Sequence, residues 1–283
     1  MSAPDGKKRK RVQHLGTVVG TSTVSDHLVR VTLAVESEAF EPKESITDSY
    51  VKLLFADPGL QLVPPFDVDA IREVHGPAGV PVTRTYTIRA ARPRTEGGWE
   101  LDLDFVTHGD TGLAGPWAAG AQVGDVIAFH GPGGAYAPRP GAWHLLGGDE
   151  AALPAIAAAL ESMGPDEVGV AVLDVAGPGD RIDISAPAGV ELRWLERGGE
   201  WTPESTTLAS GVAAVEIPAG ADAQVFVHGE RESMKDLRRL LTEKHGLDRK
   251  QMSLSAYWAY GRAEDEFQAE KRTPIGKIFP EDA

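Results

Sequence analysis

The chain has no cysteine among its 283 residues, which excludes disulfides, thiolate nucleophiles and cysteine-ligated iron–sulfur clusters. Any redox chemistry must come from a bound cofactor. Long apolar runs are missing as well. None approaches the ~20 residues that span a bilayer, and the basic stretch Met1 to Arg11 is followed by no apolar core. Neither membrane insertion nor a signal peptide is expected, and the protein is expected in the cytoplasm. Positive charge is scarce: 28 Lys and Arg stand against 42 Asp and Glu, a net charge of −14, so most of the exterior repels nucleic acid and anionic membranes. The exception is Lys7-Lys8-Arg9-Lys10-Arg11, read as a solvated terminal tail. The eight histidines show no zinc-type spacing and no H-x-x-x-H pair, so no metal site of the chain's own is expected. Also absent are G-x-G-x-x-G, G-x-x-x-x-G-K-[ST] and G-x-S-x-G, which removes the ordinary dinucleotide fingerprint, the nucleotide-hydrolysing loop and the esterase elbow.

What is present divides in two. From Val12 to about Phe129, short β-type runs alternate with turn residues: Gly16 to Val19, Leu28 to Val35, Tyr50 to Phe55, Arg84 to Ala90, Leu101 to Thr107 and Asp125 to His130. That texture predicts a small antiparallel barrel. The Pro- and Gly-rich insertion Asp57 to Val82 reads as a long loop. Beyond Gly131-Pro132-Gly133-Gly134, strand-like and helix-like segments alternate, the pattern of a parallel sheet with crossover helices. Strands are expected at Trp143 to Leu146, Val168 to Val175, Val190 to Leu195, Gln224 to His228 and Met252 to Trp258. Helical stripes run through Leu153, Ile156, Leu160 and Met163, and through Met234, Leu237 and Leu241. A short last helix is expected over Glu264 to Lys271, with acids in its first turn. The expected organisation is a tail over 1–11, a barrel over 12–137, an α/β domain over 138–256 and a C-terminal segment over 257–283. No coiled coil or long exposed apolar run calls for obligate assembly, and a monomer is expected.

Arg84-Thr85-Tyr86-Thr87-Ile88-Arg89 carries the most chemistry. Residues i and i+2 of a strand share a face, so the Arg84 guanidinium can fork onto a pyrophosphate while Tyr86 lies against an isoalloxazine ring. Thr87 then meets the edge of that ring. Downstream, Asp104-Phe105-Val106-Thr107-His108-Gly109-Asp110 leads to Gly112-Leu113-Ala114-Gly115-Pro116-Trp117. The small residues Gly112, Ala114 and Gly115 let backbone N–H groups approach a phosphate, although a plain strand-to-helix turn uses the same glycines. His108 is placed near the flavin.

The second half opens with Gly147-Gly148-Asp149-Glu150-Ala151-Ala152-Leu153-Pro154, a strand, a glycine turn and a helix with proline in its first turn. The N–H groups of that helix start suit a nicotinamide dinucleotide, yet Asp149 and Glu150 put negative charge where a pyrophosphate belongs. Either the two acids cap the helix and meet ribose hydroxyls, or the dinucleotide binds weakly. Gly229-Glu230 marks another strand-to-helix corner on the same sheet edge, where ligands of open α/β sheets collect. Arg231 and Lys235 follow it. Asp174 at a strand end suits a free ribose hydroxyl, whereas Arg197, Arg231 and Lys235 suit a 2′-phosphate, so NADH and NADPH both stay open.

Taken in order, these motifs resemble the siderophore-interacting proteins, flavin-dependent ferric-siderophore reductases of the ferredoxin-reductase superfamily. The resemblance covers nearly the whole chain and includes Gly148-Asp149-Glu150 with Pro154-Ala155-Ile156, and Tyr257-Trp258 followed by Gly261-Arg262. It implies an N-terminal antiparallel six-stranded FAD-binding β-barrel followed by a ferredoxin-reductase-like, NAD(P)-binding parallel-sheet α/β domain. It further implies that Arg84, Tyr86, Thr87 and Ile88 contact FAD together with Asp104, Val106 and Trp117. His108, Gly112, Leu113, Ala114 and Gly115 then lie near its pyrophosphate, Gly148, Asp149, Glu150, Gly229 and Glu230 serve the dinucleotide, and Tyr257 and Trp258 reach back toward the flavin. One departure is Ala151, where the family pattern has a threonine. The implied activity is reduction of a ferric siderophore, with electrons drawn from NADPH or NADH through FAD. Ferrous ion binds hard oxygen ligands less tightly, so reduction releases it. Many such chelates are anionic, and Arg262, Lys271 and Arg272 are the candidate cations to gather them. The alternatives are a flavin reductase or diaphorase for other small acceptors, and a flavin-containing siderophore-binding protein reduced by a partner such as ferredoxin.

Overall fold

The structure, a computed structural model, describes residues 12–109 and 112–279. The basic run Lys7 to Arg11 and the pair Asp110 and Thr111 lie outside the described residues. Six strands close a barrel in the order β1-β2-β5-β4-β3-β6, every pairing antiparallel. They are β1 (His14–Ser25), β2 (Leu28–Val35), β3 (Tyr50–Phe55), β4 (Val82–Pro93), β5 (Trp99–Val106) and β6 (Val126–Gly133). Alternation sets the core: Val31, Leu33 and Val35 of β2 point inward with Leu101, Leu103 and Phe105 of β5, Leu53 of β3 and Phe129 of β6. On the other face of the same pair, Arg30 lies opposite Asp104 and Thr32 opposite Asp102. Both cross-strand pairs are hydrogen-bonded, Arg30 in a two-bond fork at 2.6 and 2.9 Å, so register is specified on both faces.

The insertion after β3 is not the unbroken loop expected. It contains α1 (Val68–His75), started by Asp67, whose carboxylate accepts from Asp69 N and Ala70 N. Ile71 of α1 packs with Leu54, Phe66 and Ala128 against the outside of the barrel. The proline and glycine on either side masked a helix only two turns long. A second short helix, α2 (Ala114–Gly120), packs Ala114 and Ala118 on the barrel core.

The other half is a five-stranded parallel sheet in the order β11-β10-β7-β8-β9. Its strands are β7 (Trp143–Gly148), β8 (Val168–Val175), β9 (Gly189–Glu196), β10 (Ala223–Glu230) and β11 (Met252–Trp258). One face is covered by α4 (Thr207–Ala213), which sequence reading passed over, and by α5 (Arg231–His245). Met234, Leu237 and Leu241 of α5 are fully buried there, each contributing about 1.5–3 kcal/mol. Glu230 caps the start of α5, and Gly246, in the left-handed region at φ 65°, ends it. The other face holds α3 (Leu153–Ser162), buried almost all round between the sheet and the barrel, where its cluster includes Leu28. Arg89 of β4 forks onto Glu161 of α3 at 2.8 and 2.6 Å. Ser25 and His27 both bond Asp180 beyond β8. The chain then leaves β11 and returns to the barrel as α6 (Glu264–Glu270): the Thr85 N–H donates to Glu264, and Arg84 to Asp265. Among the described residues no helix is long and apolar enough to cross a membrane.

Candidate functional site

The order of the parallel sheet decides where a ligand can sit. From β7 the chain runs outward through β8 and β9, then jumps back to place β10 on β7's other side, and crevices open at the carboxyl ends of strands where the order reverses. A cavity of about 690 Å³ lies there, walled on the opposite side by the barrel. Thr85, Tyr86 and Thr87 of β4, Lys52 of β3, and Asp104, Val106 and His108 form the barrel wall. Asp149, Glu150, Ala151 and Pro154 after β7, Arg197 and Trp201 after β9, and His228, Tyr257 and Trp258 form the sheet wall, while Glu264 and Lys271 close one side.

The sequence-predicted residues separate into two groups. Tyr86, Thr87, Asp104, Val106, His108, Asp149, Glu150, Tyr257, Trp258 and Lys271 meet at this cavity. The others stand off it. Arg84 reaches Asp265 at 3.2 Å and the carbonyl of Thr83 at 2.8 Å. Ile88 belongs to the barrel core, and Trp117 packs edge-on to Phe55 and against Phe105. Leu113 is half exposed, and Gly112, Ala114 and Gly115 surround the start of α2. Gly148 ends β7 with no room for a side chain, because a Cβ would meet Ala152 and the His228 carbonyl. Gly229 is likewise pressed against Asp149. Glu230 turns to its own helix, accepting from Glu232 N and Ser233 N, and also takes the N–H of Tyr260. Arg262 bonds Glu270 at 2.8 Å, and Arg272 lies beyond α6 without bordering the cavity.

Sequence reading missed Lys52, Trp201, His228 and Glu264. Lys52 was hidden because it occurs in an otherwise apolar strand, YVKLLF; a lone lysine there was the available signal. Trp201 sits 5.1 Å from Trp258 and 5.5 Å from Tyr260, an aromatic trio. His228 stacks on Phe226 at 3.9 Å and meets Tyr257 edge-on at 4.8 Å. Burial drives its pKa down to about 3, so the ring is neutral.

Electrostatics divide the cavity. On the sheet side, Trp258 Nε1 donates to Asp149 Oδ2 at 2.8 Å and Ala151 N to Asp149 Oδ1 at 3.0 Å. Arg197 Nη2 donates to Glu150 Oε1 at 2.7 Å, and its Nη1 stands 3.2 Å from Asp174 Oδ1. Burial, reinforced by Glu150, raises Asp149 to about 7, and burial raises Asp174 to about 6 against the pull of Arg197. On the barrel side, burial lowers the Lys271 pKa and raises that of Glu264, while the Lys271 ammonium lies 4.5 Å from the Phe267 ring centroid.

Two family profiles match this chain: residues 17–136 fit "Siderophore-interacting FAD-binding domain" and residues 141–261 fit "Siderophore-interacting protein". The chain belongs to the siderophore-interacting protein family. Ferric vibriobactin reductase ViuB of Vibrio cholerae is 33% identical over 260 residues, 90% of this chain and 93% of ViuB. The NADPH-dependent ferric-chelate reductase of Escherichia coli is 29% identical over 86% of this chain and 91% of its own length. The siderophore-interacting protein SipS of Aeromonas hydrophila superposes with a TM-score of 0.73 at 30% identity, covering 93% of this chain and 97% of SipS. The two-domain architecture is ferredoxin-reductase-like.

The barrel wall fits the FAD that this family's domain binds. Tyr86 presents a ring packed from behind by Phe105 at 4.2 Å, and its chain neighbours Thr85 and Thr87 line the same cavity. On the sheet wall of the same cavity, His228 keeps its Nε2 on Ser253 at 3.1 Å.

Proposed function

We propose that this protein is a FAD-dependent oxidoreductase that reduces the ferric iron of a siderophore, with NADPH or NADH as electron donor. One observation carries the reading: a single cavity joins the Tyr86 strand of a FAD-binding barrel to the ligand edge of a parallel sheet, so a donor and an acceptor can reach one cofactor. The ferric-reductase names of ViuB and the E. coli relative support it. Bound FAD supplies the exchange between two-electron donors and a one-electron metal acceptor.

The chain's residues bind and orient. Tyr86 and the Thr85 and Thr87 hydroxyls hold the ring system, with His108 and the start of α2 beside the phosphates. Tyr257 and Trp258 cover it from the sheet, and burial keeps the Tyr257 hydroxyl protonated. The Gly148-Asp149-Glu150 turn receives the dinucleotide, with Arg197 holding Glu150 in place. Lys52 and Lys271, two cations at the cavity of a chain with net charge −14, draw in anionic chelates. Outer-sphere reduction of chelated iron needs no acid–base pair, and the ferrous product leaves its oxygen ligands because it binds them more weakly.

The test is anaerobic. Purified protein is expected to be yellow, to bleach at about 450 nm on addition of NADH or NADPH, and then to regain colour as a ferric siderophore is added and ferrous iron is trapped by a colorimetric chelator. Folded protein that neither holds FAD nor yields ferrous iron refutes the reading. Faster turnover of quinones than of ferric siderophores points instead to a general diaphorase.

A further inference from the structure

This inference rests on the nicotinamide-donor reading above and concerns which dinucleotide the sheet wall accepts. Arg197, leaving β9, is the one cation on that wall among the described residues. It is already taken. Its side chain is 5% exposed, with Nη2 on Glu150 at 2.7 Å and Nη1 beside Asp174 at 3.2 Å. Asp149 lies in the same pocket, so one guanidinium faces three buried carboxylates, and Glu200 adds a fourth at the rim. The nearby Arg181 is bound to Glu196 at 2.7 Å. The remaining cavity cations, Lys52 and Lys271, belong to the barrel side.

The two donors differ at one place. The ribose of NADH presents a 2′-hydroxyl, a donor that a carboxylate accepts, whereas NADPH carries a dianionic phosphate there that calls for an unpaired arginine fork. Glu150 has one oxygen on Arg197 and Ala176 N and offers the other. Beside it, the Trp201, Trp258 and Tyr260 rings supply faces on which a purine can lie. We propose that Glu150 and Glu200, with Arg197 neutralised by Glu150 and Asp174, make this an NADH-selective site by accepting ribose hydroxyls and repelling a 2′-phosphate.

The experiment uses ADP-ribose and 2′-phospho-ADP-ribose as probes, titrated into the FAD-loaded protein and followed by calorimetry and tryptophan quenching. It is paired with anaerobic flavin bleaching by NADH and NADPH. ADP-ribose is expected to bind at least tenfold more tightly than its phosphorylated analogue, and NADH to bleach the flavin with the higher kcat/KM by a similar factor. Glu150→Gln is expected to narrow the binding ratio threefold or more. Because Glu150 is buried and its variant can fail to fold, Glu200→Gln, at an exposed position, is the second variant and should narrow the ratio in the same direction. Equal or tighter binding of the phosphorylated probe, or a ratio that the folded variants leave unchanged, overturns the inference while leaving a nicotinamide donor in place. If neither probe binds and neither dinucleotide bleaches a flavin that dithionite does bleach, both the inference and the donor reading fall.

Discussion

Replacing Arg197 by methionine tests whether the sheet wall is the charged, dry cluster described above. Methionine keeps much of the aliphatic stem while deleting the charge. Glu150 and Asp174, with side chains 9% and 1% exposed, are then left without their cation. Breaking a buried pair in this way costs about 3–5 kcal/mol. At roughly 2–4 °C per kcal/mol for a chain of this size, the melting temperature should fall by about 6–20 °C at pH 8. The pH dependence makes the test sharper. Asp149 and Asp174 sit at about 7 and about 6 instead of the ordinary 3.8 because burial favours their neutral forms, and Arg197 opposes that shift in both. Without Arg197 both rise further. A carboxylate with a raised folded-state pKa binds its proton more tightly in the native state, so its contribution is full below the unfolded value and is lost as pH climbs through the folded one. At pH 5 the variant's two aspartates are protonated and its deficit should shrink; at pH 8 it should be complete. Melting curves of wild type and variant by circular dichroism at both pH values decide the matter. A loss below about 1 kcal/mol at pH 8, or an equal loss at both, refutes a desolvated cluster.

Asp149→Asn removes the group whose ionisation is opposed by burial, so the decline in wild-type stability between pH 5 and 8 should flatten, as read from denaturant midpoints across that range. Tyr86→Leu keeps the buried bulk but loses the aromatic face. FAD should then bind about 2- to 12-fold more weakly, the equivalent of about 0.5–1.5 kcal/mol of ring contact, measured by titrating apoprotein and following flavin fluorescence. Lys52→Gln and Lys271→Gln should each raise KM for an anionic ferric chelate about threefold at low salt, with the difference fading near 0.5 M salt as screening sets in. An effect that persists at high salt would point to a direct packing role.

Much of the fold is legible in the chain because its strands are bounded by turn chemistry. Leu28–Val35, Tyr50–Phe55, Val168–Val175 and Met252–Trp258 are recovered residue for residue, each being an apolar or alternating run opened by a polar residue, His27, Ser49, Glu167 or Gln251. Two helices are not. Val68–His75 is embedded in prolines and glycines that normally mean loop, and Thr207–Ala213 is too short and too rich in small residues to show a stripe. Residues of the site are legible where a motif names a chemistry, as with Tyr86, Thr87 and Asp149. They are hard to read where one residue type serves two ends. Glu230 reads as a dinucleotide contact and in the structure satisfies the first N–H groups of α5, and Trp117 reads as a FAD contact and in the structure packs on Phe55 and Phe105. Whether an arginine is free or already partnered depends on contacts between distant strands, so the state of Arg84 and Arg197 could not be read from local sequence.

The polypeptide passes between its two halves from β6 to β7 and again after β11, where Glu264 and Asp265 grip the tyrosine strand before Ile278 and Phe279 return to the core of the sheet. Halves joined by one linker can swing like the covers of a book; these are stitched along two seams. The gap between them therefore behaves as a gauge rather than a jaw. It admits a ligand by width and polarity.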